Sequence, residues 1–333
     1  LDFEQLFLGA IDYAINGHKV TKVVSSAWHN SLKKISGNKN SRNIFLKNEK
    51  TFQENELMKN IALGKTLELI SKKGSKEFYE GTITKDMVES LKDLGGEHSL
   101  EDFSKQTTIR SDTIKSNYKN EFIHQCPPNG PGVTVLIMMK LLEKLNIQNY
   151  KFNSIERFHL EAEATKQAYK IREENIGDPN FANFDLNEIL SDKNINEIYD
   201  NINLNSCSDI GNLNIPAHPE TIYLTVVDKD LNSVSIINSV CYVFGSGITT
   251  NKTGILLHNR GTNFRVEHGH PNCIDGLKRP LHTIIPGMVI DKNNNATLSY
   301  GVMGGQYQPV GQVHVLNNIL DYGMGPQEAL SFP

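Results

Sequence analysis

The spacing of apolar residues changes once along the chain, near Glu220. Before that point apolar residues recur mostly at helical intervals, as at positions 3, 6, 7, 10, 11 and 14. After it, the β-branched run 221–227 and the apolar run 233–238 are separated by a polar turn, which predicts a β-hairpin. Helices followed by antiparallel hairpins favour an α+β fold over a doubly wound parallel sheet.

Individual elements follow from apolar spacing and from glycine, proline and asparagine stops. Helices are predicted over residues 1–17, 55–73, 84–94, 133–145, 154–171 and 310–322. Strands are predicted over 221–227, 233–238, 254–258, 284–290 and 296–302, with a further strand within 100–123. Residues 178–219 have weak periodicity, and we expect a surface connection there.

Composition argues against several classes of function. Lysine and arginine number 34 and aspartate and glutamate 38, a net charge of −4, so a basic nucleic-acid-binding surface is not expected. The longest mostly apolar stretch, Val133 to Met139, is far shorter than the roughly 18 residues that cross a membrane. None of the four cysteines lies in a C-x-x-C pair, which argues against a zinc ribbon and a disulfide framework, while a single bridge stays open. No cofactor or metal is predicted.

Three features of the second part are candidates for chemistry. Thr221 opens a strand directly after a proline-containing loop, and Gly304-Gly305 lies between a strand and a helix, where free backbone N–H groups suit an oxyanion. The third feature is Arg260 together with the block 278–283, which contains His282. Each also has a purely structural interpretation, as a strand residue, a tight turn, a surface cation or a packed histidine, and the residues alone leave both open.

In their order along the chain, these segments resemble the γ-glutamyltransferase family of the N-terminal-nucleophile hydrolase superfamily. In the second part the resemblance is carried by residues 221–230, 244–247, 278–280, 303–305 and 320–324. In the first part it is carried by residues 78–83, 127–128, 161–164 and 177–179. The pattern is closer to a divergent branch described as glutathione hydrolase-like or cephalosporin-acylase-like.

The resemblance implies a four-layer αββα sandwich made as one precursor. The precursor would cut itself between Glu220 and Thr221, leaving residues 1–220 as the large-subunit part and 221–333 as the small-subunit part. Since family members begin earlier and continue further, the resemblance also implies that this chain is truncated at both ends.

The family's site residues carry over one by one. Thr221 matches the nucleophile, a weak one that needs an adjacent base, which its own freed α-amine can supply. Ser239 stands where the family has a second threonine, and Gly304 and Gly305 match the oxyanion glycines. His282 and Thr283 stand where many members have two serines that contact the donor carboxylate.

The donor pocket departs from the family pattern. Where acidic groups usually grip an α-ammonium, this chain has Arg260 and Asn263, beside Asn259, and Cys241 replaces a common asparagine. An arginine there would repel an ammonium and attract a carboxylate, which predicts a donor such as a glutaryl amide. The alternative is that Arg260 pairs with a nearby acid such as Glu267 and never meets substrate.

The sequence thus predicts a self-processing N-terminal-threonine amidohydrolase or acyltransferase. It would cleave γ-glutamyl (glutathione-type) or related acyl amides through an acyl-enzyme, with transfer to water, an amino acid or a peptide. The alternative is an inactive, unprocessed family member that acts as a binding or scaffold protein. An ordinary serine hydrolase lacks its G-x-S-x-G motif. A homo-oligomer stays open, as does a cytoplasmic, periplasmic or secreted location.

Overall fold

The computed structural model describes residues 1–209 and 221–332. The chain divides into two compact units, Leu1–Arg110 with Tyr242–Asn259, and Ser111–Cys241 with Arg260–Pro333. The expected subunit boundary before Thr221 therefore falls within the second unit. The two compact units do not test where the backbone is cut, so the division into two subunits stays a prediction.

The first unit is mostly helical. Its helices are α1 Leu8–Ile15, α2 Lys22–Asn30, α3 Leu32–Ser36, α4 Lys39–Phe45, α5 Ile61–Lys73, α6 Ser75–Glu80, α7 Thr82–Lys92 and α8 Leu100–Ser104. Its strands are the short pairs β1 His18–Lys19 with β4 Leu57–Met58, and β2 Leu46–Lys47 with β3 Lys50–Thr51.

Residues 242–259 belong to the first unit because aromatic packing and a buried carboxylate hold them there. The Trp28 ring stacks on Phe244 with ring centroids 5.7 Å apart. The carboxylate of Asp86, on α7, accepts hydrogen bonds from the backbone N–H groups of Lys252 and Thr253 at 2.7–3.1 Å. Segments far apart in sequence thus share one core.

The second unit contains a larger set of elements. Its helices are α9 Gly132–Lys144, α10 Ile155–Asn175, α11 Leu186–Ile189, α12 Asp192–Asp200, α13 Gln308–Leu320 and α14 Pro326–Ser331. Its strands are β5 Ile114–Tyr118, β6 Glu121–Gln125, β7 Ile222–Val227, β8 Ser233–Asn238, β9 Gly287–Asp291 and β10 Ala296–Tyr300. Strands β10, β9, β6 and β5 form an antiparallel sheet in that order, and β7 pairs with β8.

Helix α9 is the centre of the second unit. Its residues 133–139 are buried, and apart from Thr134 they are apolar around the whole helix rather than on one stripe, as expected for a helix in the core. The helix packs against α10, α13 and the β5–β6 strands. Among the described residues, no helix is long and apolar enough to cross a membrane.

The β7–β8 hairpin lies on the other face of the four-stranded sheet. Tyr300 points into the helical core, so its neighbour Ser299 points the opposite way, where its hydroxyl bonds the Tyr223 hydroxyl at 2.8 Å. The outward face of the hairpin is apolar and exposed, as at Ile222 and Val226. The fold is α+β, as predicted, with one helical layer and two β layers in this unit. The second helical layer of the expected sandwich stays a prediction.

Most predicted elements are present, with shifted ends. The helix expected over 55–73 starts at Ile61, since the Asn60 side chain caps it by accepting the Leu63 N–H at 3.0 Å. The strand expected over 254–258 is wrong, because only an isolated bridge between Thr249 and Leu256 forms there. The expected surface connection 178–219 contains α11 and α12. All four cysteines are free thiols.

Candidate active site

Thr221 is the first residue of the second described range, 221–332. It is only 6% exposed, although the next residue, Ile222, is 64% exposed. The side-chain amide of Gln308, the first residue of α13, donates from Nε2 to Thr221 Oγ1 at 3.3 Å. Glu220, the other side of the expected cleavage site, lies outside the described residues.

Ser239 and Cys241 directly follow strand β8. The Ser239 hydroxyl accepts the backbone N–H of Cys241 at 3.0 Å. Cys241 is buried and has φ of +81°, a left-handed conformation that asparagine adopts more readily than cysteine. The turn that follows the strand is therefore built on a side-chain contact and an unusual backbone conformation.

Arg260 and Thr283, two of the predicted binding residues, meet in the second unit. Both are buried, and Arg260 Nη1 donates to Thr283 Oγ1 at 3.0 Å. Burial lowers the pKa of Arg260, while the nearby Cys241 thiol raises it. The contact places a guanidinium beside the Ser239–Cys241 turn.

His282 is a neutral donor. Burial, followed by the charges of Arg260 and Arg279, lowers its pKa to about 4. Its Nδ1 accepts the Ile284 N–H at 3.2 Å, so the proton of the neutral ring is on Nε2. Gly130 allows the close approach of backbone to the ring, because a Cβ there would lie 2.6 Å from His282 Cε1.

We call residues 304–308 the glycine loop. Gly304 and Gly305 have φ of +129° and +56°, conformations that other residues rarely adopt, and a single 3₁₀ turn connects them to α13. The loop is held at Gln306 from α10: the Tyr169 hydroxyl donates to the Gln306 carbonyl, and Arg172 Nη1 donates to Gln306 Oε1 at 2.7 Å. Tyr169 and Arg172 are each 1% exposed.

Asn263 lines a cavity of about 250 Å³ in the second unit, and Gln306 of the glycine loop lines it too. Asn263 Nδ2 is buried and has no hydrogen-bond partner in the described part of the chain. The charged groups on the cavity wall are Glu173 between Arg172 and Arg265, with His270 nearby. Burial alone would raise the pKa of Glu173, but the two guanidinium groups lower it. Two cations and one carboxylate leave this wall positive.

We call Arg260–Asn263, His282 and Thr283 the arginine pocket, because they include the predicted donor-pocket residues of the second unit. Of this set, Thr262 and Asn263 line the cavity. The arginine pocket does not include Asn259, which belongs to the first unit, where its side-chain oxygen accepts the Tyr242 N–H at 3.2 Å. The other predicted residues, from Thr221 to Gly305, all belong to the second unit.

Two motifs quoted from the sequence form an ion pair. Arg279 donates from its backbone N–H, Nε and Nη2 to the buried Asp178 carboxylate at 2.8–3.1 Å. Burial alone would raise the pKa of Asp178, but these donors lower it. The pair ties the end of α10 to the segment that leads into His282, a structural role that the sequence did not indicate.

His159, Glu163 and Cys207 have ligand-type atoms within 4.8 Å of one another. The Lys166 ammonium already bonds Glu163 Oε1 at 2.7 Å, and the Ser208 N–H bonds Oε2 at 3.0 Å. Because a lysine cation already neutralises the carboxylate, this cluster gives no reason to assign a metal.

Comparison with known proteins identifies the family. The sequence model of the Gamma-glutamyltranspeptidase family matches residues 1–333. The chain belongs to the γ-glutamyltranspeptidase family. It is 32% identical over 329 residues to the glutathione hydrolase-like YwrD proenzyme of Bacillus subtilis, covering 97% of this chain and 61% of that protein. It is 29% identical over 315 residues to the glutathione hydrolase proenzyme of Escherichia coli, covering 90% and 54%.

A solved structure has a fold similar to that of this chain. The cephalosporin acylase from Bacillus halodurans matches with a TM-score of 0.90 at 27% identity, covering 100% of this chain and 62% of that one. The chain therefore spans 54–62% of the length of these three similar proteins.

Sequence analysis missed the polar residues that contact the nucleophile candidate and the glycine loop. These residues occupy ordinary helix or turn positions in the sequence: Gln308, Gln306, Tyr169 and Arg172. The available signal was weak: a glutamine within three residues of a double glycine, and an arginine on the buried face of a helix.

Proposed function

We propose that this chain forms most of a self-processing N-terminal-threonine amidohydrolase or acyltransferase, with Thr221 as nucleophile. The observation that carries the proposal is the contact between Thr221 Oγ1 and Gln308, because it brings the threonine against the loop that contains Gly304 and Gly305. A hydroxyl in contact with a residue that follows two positive-φ glycines at the start of a helix is an arrangement suited to acyl transfer.

The chemistry would use one hydroxyl twice. In maturation, Thr221 Oγ attacks the Glu220 carbonyl carbon, and the Glu220–Thr221 carbon–nitrogen bond breaks, which frees the α-amine and leaves an ester on Oγ. Water then hydrolyses the ester to a Glu220 carboxylate and the Thr221 hydroxyl, and this separates the large-subunit and small-subunit parts. In catalysis, that amine takes the hydroxyl proton while Oγ attacks the substrate carbonyl, giving an acyl-enzyme. The N–H groups of Gly304 and Gly305 would hold the oxyanion, and Ser239 would hold the amine. Water, an amino acid or a peptide then accepts the acyl group.

The arginine pocket supports an acyl donor with a carboxylate or neutral end. Arg260 is a buried cation bonded to Thr283, and His282 adds a neutral N–H donor rather than a charge. The cavity lined by Asn263 is also positive on balance. A planar guanidinium matches a carboxylate in shape and charge. We therefore expect glutaryl-type amides to be better donors than γ-glutamyl amides, whose α-ammonium this pocket would repel.

Self-cleavage tests the function most directly. In the full-length precursor, Thr221→Ala should leave a single uncut chain and no amidase activity. Thr225→Ala, at an exposed threonine on the strand that directly follows Thr221, is the matched control and should be cut normally. Gel electrophoresis and N-terminal sequencing of the small fragment measure both results.

The same measurement decides against the alternative of an unprocessed binding or scaffold protein. That alternative requires the wild-type precursor to stay uncut. Cleavage at a normal rate in Thr221→Ala, or a small fragment that starts at another residue, would contradict the assignment of Thr221.

A further inference from the structure

Gln308 has an unusual hydrogen-bonding state. Its side chain is fully buried and donates to Thr221 Oγ1, yet its Oε1 has no hydrogen-bond partner among the described residues. A buried amide oxygen without a partner costs about 1–3 kcal/mol, so natural proteins rarely keep one without a reason.

Two neighbouring glutamines have paired side-chain oxygens. Gln312, one turn further along α13, donates to the Ile285 carbonyl at 2.5 Å and accepts from Gln125 at 2.8 Å. The amide oxygen of Gln306 accepts from Arg172. A third, Gln125, also has an Oε1 without a partner among the described residues, but its amide nitrogen donates to Tyr300 and Gln312 and not to Thr221. Among these glutamines, Gln308 combines an amide oxygen that has no partner in the described residues with an amide nitrogen that contacts the nucleophile candidate.

We propose that Gln308 is a catalytic residue that bridges the two reactive groups of Thr221 after self-cleavage. Its Nε2–H bonds Oγ, and its Oε1 accepts a hydrogen bond from the freed α-amine of the same residue. A threonine hydroxyl has one proton and two lone pairs. With one lone pair on Gln308 and the proton directed to the amine, the other lone pair faces the substrate carbonyl. The inference rests on the proposed function.

The bridge acts at the step where charge forms. As Oγ bonds the carbonyl carbon, the hydroxyl proton passes to the α-amine, which becomes an ammonium, and the carbonyl oxygen becomes an oxyanion. The Gln308 carbonyl stabilises that ammonium. When the intermediate collapses, the carbon–nitrogen bond breaks and the ammonium proton leaves with the amine product. A hydrogen bond to a charged group contributes about 1.5–3 kcal/mol, which corresponds to about 10–100-fold in rate.

The test compares Gln308→Met and Gln308→Glu with Gln312→Met in the full-length protein. Methionine keeps the length of glutamine without its hydrogen bonds, and Gln312→Met breaks buried bonds on the same helix away from Thr221. In Gln308→Met we expect slower self-cleavage, a kcat for acyl anilides about 10–100-fold lower, and little change in KM. Gln312→Met should lower the thermal midpoint but keep kcat.

Gln308→Glu separates the two halves of the bridge. A carboxylate cannot donate to Oγ, so self-cleavage, which occurs before the amine exists, should be as slow as in Gln308→Met. It can accept from the ammonium, so each mature molecule should turn over faster than mature Gln308→Met.

The outcomes separate the bridge from the proposed function. If the wild type is cut and turns over while Gln308→Met matches it, or if Gln312→Met loses kcat equally, the bridge is wrong and the function stands. If the wild type is cut but hydrolyses no acyl anilide, the proposed substrates fail, and the self-cleavage rates decide on Gln308. A wild type that is never cut overturns both.

Discussion

The glycine loop and the arginine pocket, two parts of the candidate site, are built in different ways. Buried neutral and ionic contacts from α10 hold the glycine loop at both the backbone and the side chain of Gln306. In the arginine pocket the buried cation, Arg260, is itself one of the predicted binding residues, and it donates to the hydroxyl of Thr283. One part is fixed by its backbone conformation and the other by the identity of its side chains.

This difference separates rate from specificity. Backbone N–H groups in the glycine loop would act on any carbonyl, so damage there should reduce turnover of every substrate alike. Charged side chains in the pocket would act on the rest of the acyl group, so changes there should alter the ratio between substrates. Substitutions in the two parts should therefore differ in their effects on turnover, on substrate preference and on stability.

A side chain at Gly305 should have the largest effect. Valine cannot easily adopt φ of +56°, so Gly305→Val should displace the N–H groups and reduce kcat about 100–1,000-fold for all donors. The control is Gly323→Val, because Gly323 also has a positive φ, +68°, that valine adopts poorly. It lies at the far end of α13, and a Cβ there would meet no other atom within 4 Å. Wild-type turnover in a folded Gly305→Val protein would contradict the role of the loop.

Charge reversal at Arg260 should change preference rather than overall rate. The wild type should prefer glutaryl to γ-glutamyl anilide in kcat/KM, and Arg260→Glu should shift that ratio by about 10-fold or more toward γ-glutamyl. Arg260→Gln should give an intermediate ratio, and Lys229→Glu, an exposed reversal in the hairpin turn, should not alter it.

Two results would show that Arg260 does not discriminate donors. One is a wild type that strongly prefers γ-glutamyl anilide. The other is an unchanged ratio in Arg260→Gln and Arg260→Glu proteins that are still cut into two fragments, which would favour a purely structural role for Arg260.

His282 should have the smallest effect, on stability and its pH dependence. The folded protein keeps the ring neutral down to a pKa of about 4, whereas the unfolded chain protonates it from about pH 6.5. The unfolded state therefore binds more protons as the pH falls, so stability decreases from pH 7 toward pH 4. Between pH 7 and 5 this contributes about 2 kcal/mol.

The measurement is the unfolding free energy of the wild type and His282→Gln at pH 7 and pH 5. The variant should lose less stability than the wild type, and His268→Gln, at an exposed histidine, should behave as the wild type does. Equal losses in all three proteins would mean that neither burial nor the charges of Arg260 and Arg279 resist the protonation of His282.

The sequence predicted the parts of this molecule that depend on local patterns. The buried helix α9, the β7–β8 hairpin and helix α13 follow from apolar spacing alone, and the double glycine marks the loop. The contacts of Gln308 with Thr221 and of Arg172 with Gln306 join residues 87 and 134 positions apart. No local pattern encodes such pairs. Helices α2 to α4 went unrecognised because their apolar residues are few and pack onto Phe244 and Leu256, far away in sequence.

The spacing within the glycine loop has a consequence for how such a chain can diverge. Gly305 and Gln308 are three residues apart on one short turn, and each residue of a helix is rotated about 100° from the one before it. Inserting or deleting a single residue between them would turn the glutamine side chain away from Thr221 while the glycines stayed in place. Descendants that keep the chemistry must therefore keep this loop at constant length. The arginine pocket carries no such constraint, so new substrates can arise there by single point substitutions.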